Sequence, residues 1–140
     1  MSDKYFLDTN ILVYSLDPKE PRKEQIAQKL VTRAVTSGLG VISYQVVQEF
    51  VNVALRQFQA TMSTLELERY FFRVLLPMMR VSSSAPLFLE GLRLQARDRL
   101  NWYDALIVAA ALERDCKLLY SEDMQHGQRF GDLVIENPFL

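Results

Sequence analysis

Five short apolar runs, most of them separated by stretches long enough for helices, set the terms for what this chain can fold into. They read YFLD (5–8), GVIS (40–43), MMRVS (78–82), KLLY (117–120) and LVIE (133–136). None alternates apolar with polar residues over its length, which is the pattern of a strand covered on both faces. The intervening segments carry helical periodicity instead. Residues 22–37 place Ile26, Leu30 and Ala34 on one face, and residues 44–59 place Val47, Phe50, Val51, Ala54 and Phe58 along another stripe. Residues 64–76 and 85–99 follow the same pattern, with Gly91 weakening the latter by about 1 kcal/mol. YDALIVAAALERD (103–115) is apolar nearly all round, which predicts a helix with no solvent-facing side. Strands alternating with helices imply an α/β fold: a three-layer α/β/α sandwich around a mostly parallel sheet of about five strands.

The 140 residues contain no repeat, low-complexity tract or Ser/Gly linker, so a single domain over 1–140 is expected. The longest uninterrupted apolar run, Ala105 to Leu112, falls far short of the roughly 20 residues that span a bilayer. No basic region followed by a long apolar stretch opens the chain, so no secretory signal is expected. Cys116 is the only cysteine and has no partner for an intrachain disulfide or a cysteine-based zinc site. Together these features suit a cytoplasmic protein. Net charge is −1, so contact with nucleic acid must rest on a local basic patch rather than on the surface as a whole.

Ligands of open parallel sheets bind beyond the carboxyl ends of the strands, and acids fall there. Asp8 directly follows the first apolar run, and Ser121, Glu122 and Asp123 follow the fourth. Asp104 opens the buried helix, and Glu49 lies within the helix after the second run. Each acid also has a plainer role open to it. Asp8 and Asp104 can cap helices, Asp123 can serve a turn, and Glu49 can share a solvated face with Gln45, Asn52 and Arg56. With the first strand central and the second and fourth beside it, however, the carboxylates converge. Gathered without cations they would repel one another and titrate high. A divalent ion resolves that conflict, and hard oxygen donors suit Mg²⁺ or Mn²⁺. Such a site serves phosphodiester hydrolysis. His126, the only histidine, is expected in a surface loop.

In this order, FLDTNILVY (6–14), SYQVVQEF (43–50), WYDALIVAAA (102–111) and LLYSEDMQHG (118–127) resemble the PIN domain family of ribonucleases, and within it the VapC-type toxins of VapBC toxin–antitoxin systems. The ending GDLVIENPFL (131–140) resembles the last edge strand of that group, so the likeness spans essentially the whole chain. The resemblance implies a Mg²⁺- or Mn²⁺-dependent endoribonuclease whose four acids carry over to Asp8, Glu49, Asp104 and Asp123. Asp8 and Asp104 would contact the metal directly. Asp123 is expected among the ligands, and Glu49 would complete the pocket directly or through water. Glu122, adjoining Asp123, is the alternative fourth acid. Asn10 and Ser121 match small polar residues that orient the acids, and Thr9 matches the motif at the strand-to-helix turn. The resemblance further implies a homodimer and a small antitoxin partner, for which Phe71 and Phe72 offer apolar surface.

For an RNA substrate, Arg93, Arg97 and Arg99 form the densest basic cluster, although Glu90 and Asp98 are positioned to pair with them. Trp102 and Tyr103 can stack on a base, but large aromatics more often pack into the core. Other readings remain: an RNA-processing nuclease of the same family without an antitoxin, or a non-catalytic RNA- or protein-binding module. An Mg²⁺ phosphatase needs a second Asp two residues after the first, where Asn10 stands. A receiver domain needs an acid after its third strand, where RVSSSAP has none.

Overall fold

The computed structural model describes residues 3–58 and 60–140. Six strands form one sheet: β1 (Tyr5–Leu7), β2 (Gly40–Ser43), β3 (Met79–Val81), β4 (Leu118–Tyr120), β5 (Arg129–Phe130) and β6 (Leu133–Glu136). Their spatial order is β3-β2-β1-β4-β6-β5. All neighbours are parallel except β5 and β6. The chain is mixed α/β with a mostly parallel sheet, as the apolar runs predict. Every residue of β1 and β2 is buried, so both faces of the central sheet are covered.

The fifth strand is absent from the sequence reading. It has two residues, with Arg129 exposed, and exists only as the returning arm of a hairpin onto β6. No apolar run announces so short an edge.

The helices are α1 (Thr9–Tyr14), α2 (Pro21–Ser37), α3 (Tyr44–Gln57), α4 (Thr64–Tyr70), α5 (Leu76–Met78), α6 (Ala85–Asp98) and α7 (Trp102–Glu113). Side-chain caps start most of them: Asp8, Ser43, Ser63, Ser84 and Asn101 each accept a backbone N–H of the following turn. The helix expected over 44–59 ends at Gln57, and position 59 lies outside the described residues, as do positions 1 and 2. The helix expected over 64–76 is not uniform. A wide π turn occupies Phe71–Leu75, where the Leu76 N–H reaches back five residues to the Phe71 carbonyl. Pro77 follows and has no N–H to donate, which is where a regular helical ladder must adjust. Among the described residues no helix is long and apolar enough to cross a membrane.

Two close approaches set the layers. Gly40 opens β2 beneath the end of α2, where a Cβ would stand 2.3 Å from the Ala34 Cβ. Gly91 lets α6 lie on α7, with Leu106 3.0 Å and Trp102 3.3 Å from where its Cβ would be. The glycine that weakens the helix on propensity is therefore a packing residue. On α7, Ala105 to Ala111 are all buried, as the all-round apolar sequence predicts.

The order of the strands matters most for function. From β1 the chain moves to β2 on one side, and β4 later pairs on the other. The carboxyl end of β1 is therefore a switch point, where open α/β sheets form their ligand crevice.

Candidate active site

Asp8 leaves β1 at that switch point and caps α1, its Oδ1 accepting the Thr9 N–H at 2.7 Å. Its Oδ2 accepts the Ser121 hydroxyl at 2.7 Å from the end of β4. Ser121 is fully buried, and its Oγ in turn accepts the N–H groups of Asp123 at 3.2 Å and Met124 at 3.4 Å. One hydroxyl thus ties the Asp8 carboxylate to the loop that carries Asp123. Burial pushes the Asp8 carboxyl up to about 6. The bonds from Ser121 and Thr9 oppose that rise, while the charges of Glu49 and Asp104 add to it.

The other acids are held in the same manner. The Thr9 hydroxyl donates to Glu49 Oε1 at 2.6 Å, linking the β1 turn to α3. Gln45, one turn before Glu49 and itself buried, donates to Glu49 Oε2 at 3.4 Å and to the Tyr103 carbonyl at 3.2 Å. Asn10 Nδ2 donates to Asp123 Oδ2 at 3.1 Å, and its Oδ1 accepts the Glu122 N–H at 3.4 Å. Asp104 stands in the first turn of α7, and Asn101 is the cap. The Asp104 N–H donates to Asn101 Oδ1, and Asn101 Nδ2 donates to Asp104 Oδ2, both at 2.9 Å. Burial raises the Asp104 carboxyl first, the Asn101 bond lowers it, and the charges of Asp123 and Glu49 raise it further.

Asp8, Glu49, Asp104 and Asp123 line one cavity of about 550 Å³, together with Thr9, Asn10, Gln45, Tyr103 and a fifth acid, Asp17. Among the described residues no Lys, Arg or His lines it. No three carboxylates among those residues are gathered closely enough to grip one ion unaided. The donor set still fits Mg²⁺ or Mn²⁺, since such ions take one or two carboxylates and keep several waters.

The sequence matches the PIN domain family over residues 5–129. The chain belongs to the PIN domain family. No match was found among curated proteins. Solved structures share the fold. A chain of a toxin–antitoxin complex from Klebsiella pneumoniae superposes with a TM-score of 0.64 at 19% identity, covering 96% of this chain and 98% of that one. A chain of VapBC2 from Rickettsia felis, bound to a DNA fragment from their promoter, gives 0.60 at 20% identity, covering 95% and 97%. VapC20 of Mycobacterium tuberculosis, a sarcin-ricin loop cleaving toxin, gives 0.59 at 17% identity, covering 86% and 90%.

Within this PIN domain the structure separates Glu122 from Asp123. Asp123 lines the cavity, whereas Glu122 turns to Lys23 at 2.6 Å and to the Tyr14 hydroxyl at 2.5 Å. Those two bonds hold its carboxyl below the usual range in spite of partial burial. Glu122 anchors the loop, and Asp123 is the acid presented to the cavity.

The plainer reading of Asp104 as a helix cap does not hold, because Asn101 occupies the cap. Gln45 and Glu49 do not lie on a solvated face: Gln45 is buried and both line the cavity. The Arg cluster is not brought to the cavity. Arg93 pairs with Glu90 at 3.5 Å and Arg97 with Asp98 at 3.0 Å on exposed α6, and Arg99 ends that helix in a left-handed conformation.

The two aromatics part company. Trp102 packs beside Phe88 with ring centroids 6.3 Å apart, whereas Tyr103 is 64% exposed at the cavity. Core packing was the expectation for both, and it holds only for Trp102. His126 is exposed, as expected, its Nδ1 accepting the Asn137 N–H. Sequence reasoning missed Gln45 and Asn101 as the residues that hold Glu49 and Asp104. The i, i+4 spacing of Gln45 and Glu49 was the available signal for the first.

Proposed function

We propose that this PIN domain is a metal-dependent endoribonuclease and the toxin member of a type II toxin–antitoxin pair of the VapC kind, acting in the cytoplasm. One observation carries the reading: Asp8, Glu49, Asp104 and Asp123 share a cavity at the switch point of the sheet with no cation lining it among the described residues. Family membership and the toxin–antitoxin structures of the same fold support it. Asp8, Asp104 and Asp123 would hold Mg²⁺, or Mn²⁺ in its place, in part through water the ion keeps, with Asp8 the most deeply buried of the three. A divalent ion supplies the positive charge that a phosphodiester under attack requires and that this cavity lacks.

The chain's own residues do the rest. Ser121 and the Thr9 N–H fix both oxygens of Asp8, and Asn101 and Asn10 fix Asp104 and Asp123. Glu49, steadied by Thr9 and Gln45, would take the proton of the attacking water. The P–O bond to the leaving ribose oxygen breaks as the new P–O bond to water forms. A toxin of this kind would work as a homodimer and be silenced by an antitoxin.

The test is cleavage of structured and unstructured RNAs with Mg²⁺ and with EDTA. Asp8→Asn and Asp104→Asn are expected to lower the rate by about a hundredfold or more while the proteins stay folded. Full activity of either variant, or activity that persists in EDTA, overturns the reading.

A further inference from the structure

Tyr103 has no role in holding the acids, yet its ring stands 64% exposed at the cavity that contains them. Its placement is fixed from both sides. Trp102, the preceding residue, is packed against Phe88 and Gly91, and the Tyr103 carbonyl accepts the side chain of buried Gln45. The ring therefore sits on a braced helix start directly beside Asp104. One wall of the cavity is a stripe of α3: Gln45, Glu49, Asn52, Val53 and Gln57, at positions one turn apart. Beyond Glu49 that stripe is uncharged, and its exposed amides, Asn52 and Gln57, each offer a donor and an acceptor.

A flat aromatic face and neutral amides in a cavity otherwise rich in carboxylate do not suit a phosphate. They suit a nucleobase, which has a π face, an edge of donors and acceptors, and no charge. We propose that Tyr103 and Asn52 form a subsite for one unpaired nucleobase next to the scissile phosphate. The base stacks on Tyr103 and presents its edge to the Asn52 amide. A paired base has its edge and both faces occupied, so the subsite selects single-stranded or splayed-out RNA. This inference rests on the endoribonuclease reading for its chemistry but not for its binding.

The experiment compares wild type, Tyr103→Ala and Tyr103→Phe on a single-stranded oligoribonucleotide. Matched oligonucleotides carry one abasic residue stepped across the cleavage position. Tyr103→Ala is expected to lower kcat/KM about tenfold, mainly through KM, and Tyr103→Phe to restore most of it. At one abasic position wild type falls to the same level and Tyr103→Ala causes no further loss. Asn52→Ala narrows the differences among the four bases at that position. Equal kinetics for wild type and Tyr103→Ala overturn the proposal, as does a Tyr103→Ala loss that is undiminished on every abasic substrate. Full base preference after Asn52→Ala overturns the part given to that amide.

Fluorescence anisotropy of the same oligonucleotides with Ca²⁺ reads binding apart from cleavage. Tyr103-dependent binding without cleavage of any RNA overturns the nuclease reading alone. Cleavage with binding indifferent to Tyr103 overturns the base subsite alone.

Discussion

Without a metal ion, ionised Asp8 should destabilise this fold near neutral pH. Its carboxyl titrates at about 6 in the folded chain against an ordinary 3.8, so the folded state holds the proton more tightly. The resulting stabilisation is complete below about pH 4 and is lost as pH rises through about 6. At about 1.4 kcal/mol for each pH unit, the loss is about 3 kcal/mol. Urea unfolding of wild type and Asp8→Asn in EDTA, between pH 4 and pH 7.5, isolates it, because the other acids are present in both proteins and largely cancel. The advantage of Asp8→Asn over wild type should grow by about 2.5 kcal/mol across that range, or about 8 °C in melting temperature. Its starting value at low pH is set by the amide, which meets the Thr9 N–H and the Ser121 hydroxyl less well than a carboxyl does. Mg²⁺ added at pH 7.5 should then stabilise wild type and leave Asp8→Asn nearly unchanged, since a ligand of the native state raises its stability. Parallel pH profiles for the two proteins in EDTA would refute the reasoning.

Two further outcomes test other parts of the structure. Glu122→Gln should retain most RNA cleavage, because the amide can still accept from Lys23 or Tyr14, whereas Glu122→Ala should demand more Mg²⁺ for half-maximal rate as the Asp123 loop loosens; a Glu122→Gln as inactive as Asp8→Asn would make Glu122 a ligand instead. Gly40→Ala should cost about 1–3 kcal/mol in denaturant unfolding, since backbone and Ala34 must both move to admit a Cβ at 2.3 Å, and an unchanged midpoint would show that α2 is not seated there.

Much of this architecture was legible in sequence because burial on both faces leaves a local mark. Phe6, Leu7, Val41 and Ile42 sit in runs without polar alternation, and the strands fall on those runs. The all-apolar face of α7 is equally local information. What could not be read depends on contacts between distant segments. Gly91 looks like a flaw until Leu106 and Trp102 are laid against it. Whether Trp102 or Tyr103 packs inward depends on how α7 is rotated under α6, which no window of sequence encodes. The acids were legible as a set, because Asp8 and Asp123 directly follow or nearly follow apolar runs and all four stand in the motifs that carry the family resemblance. Their supports were legible only in part: the resemblance points to Asn10 and Ser121, but not to Gln45 and Asn101, and which acid each support holds is set by contacts as distant as Thr9 to Glu49 across 40 positions and Ser121 to Asp8 across 113.

The supports share a property that bears on the chemistry. Thr9, Asn10, Gln45, Asn101 and Ser121 are all neutral donors, and each fixes a carboxylate without cancelling its charge. An Arg or Lys in any of these places would orient an acid just as firmly. It would also pull the acid's pKa down and leave the cavity little attraction for a divalent cation. Lys23 illustrates the alternative: it comes to the same loop, but it engages Glu122, and neither of the two lines the cavity. The DTN that follows β1 and the SED that follows β4 are therefore two halves of one device. Each supplies an acid to the cavity, and each supplies a neutral side chain that holds an acid of the other segment: Ser121 for Asp8, and Asn10 for Asp123. The arrangement keeps the negative charge intact and its position fixed at the cost of a raised titration at Asp8, which a bound cation would relieve.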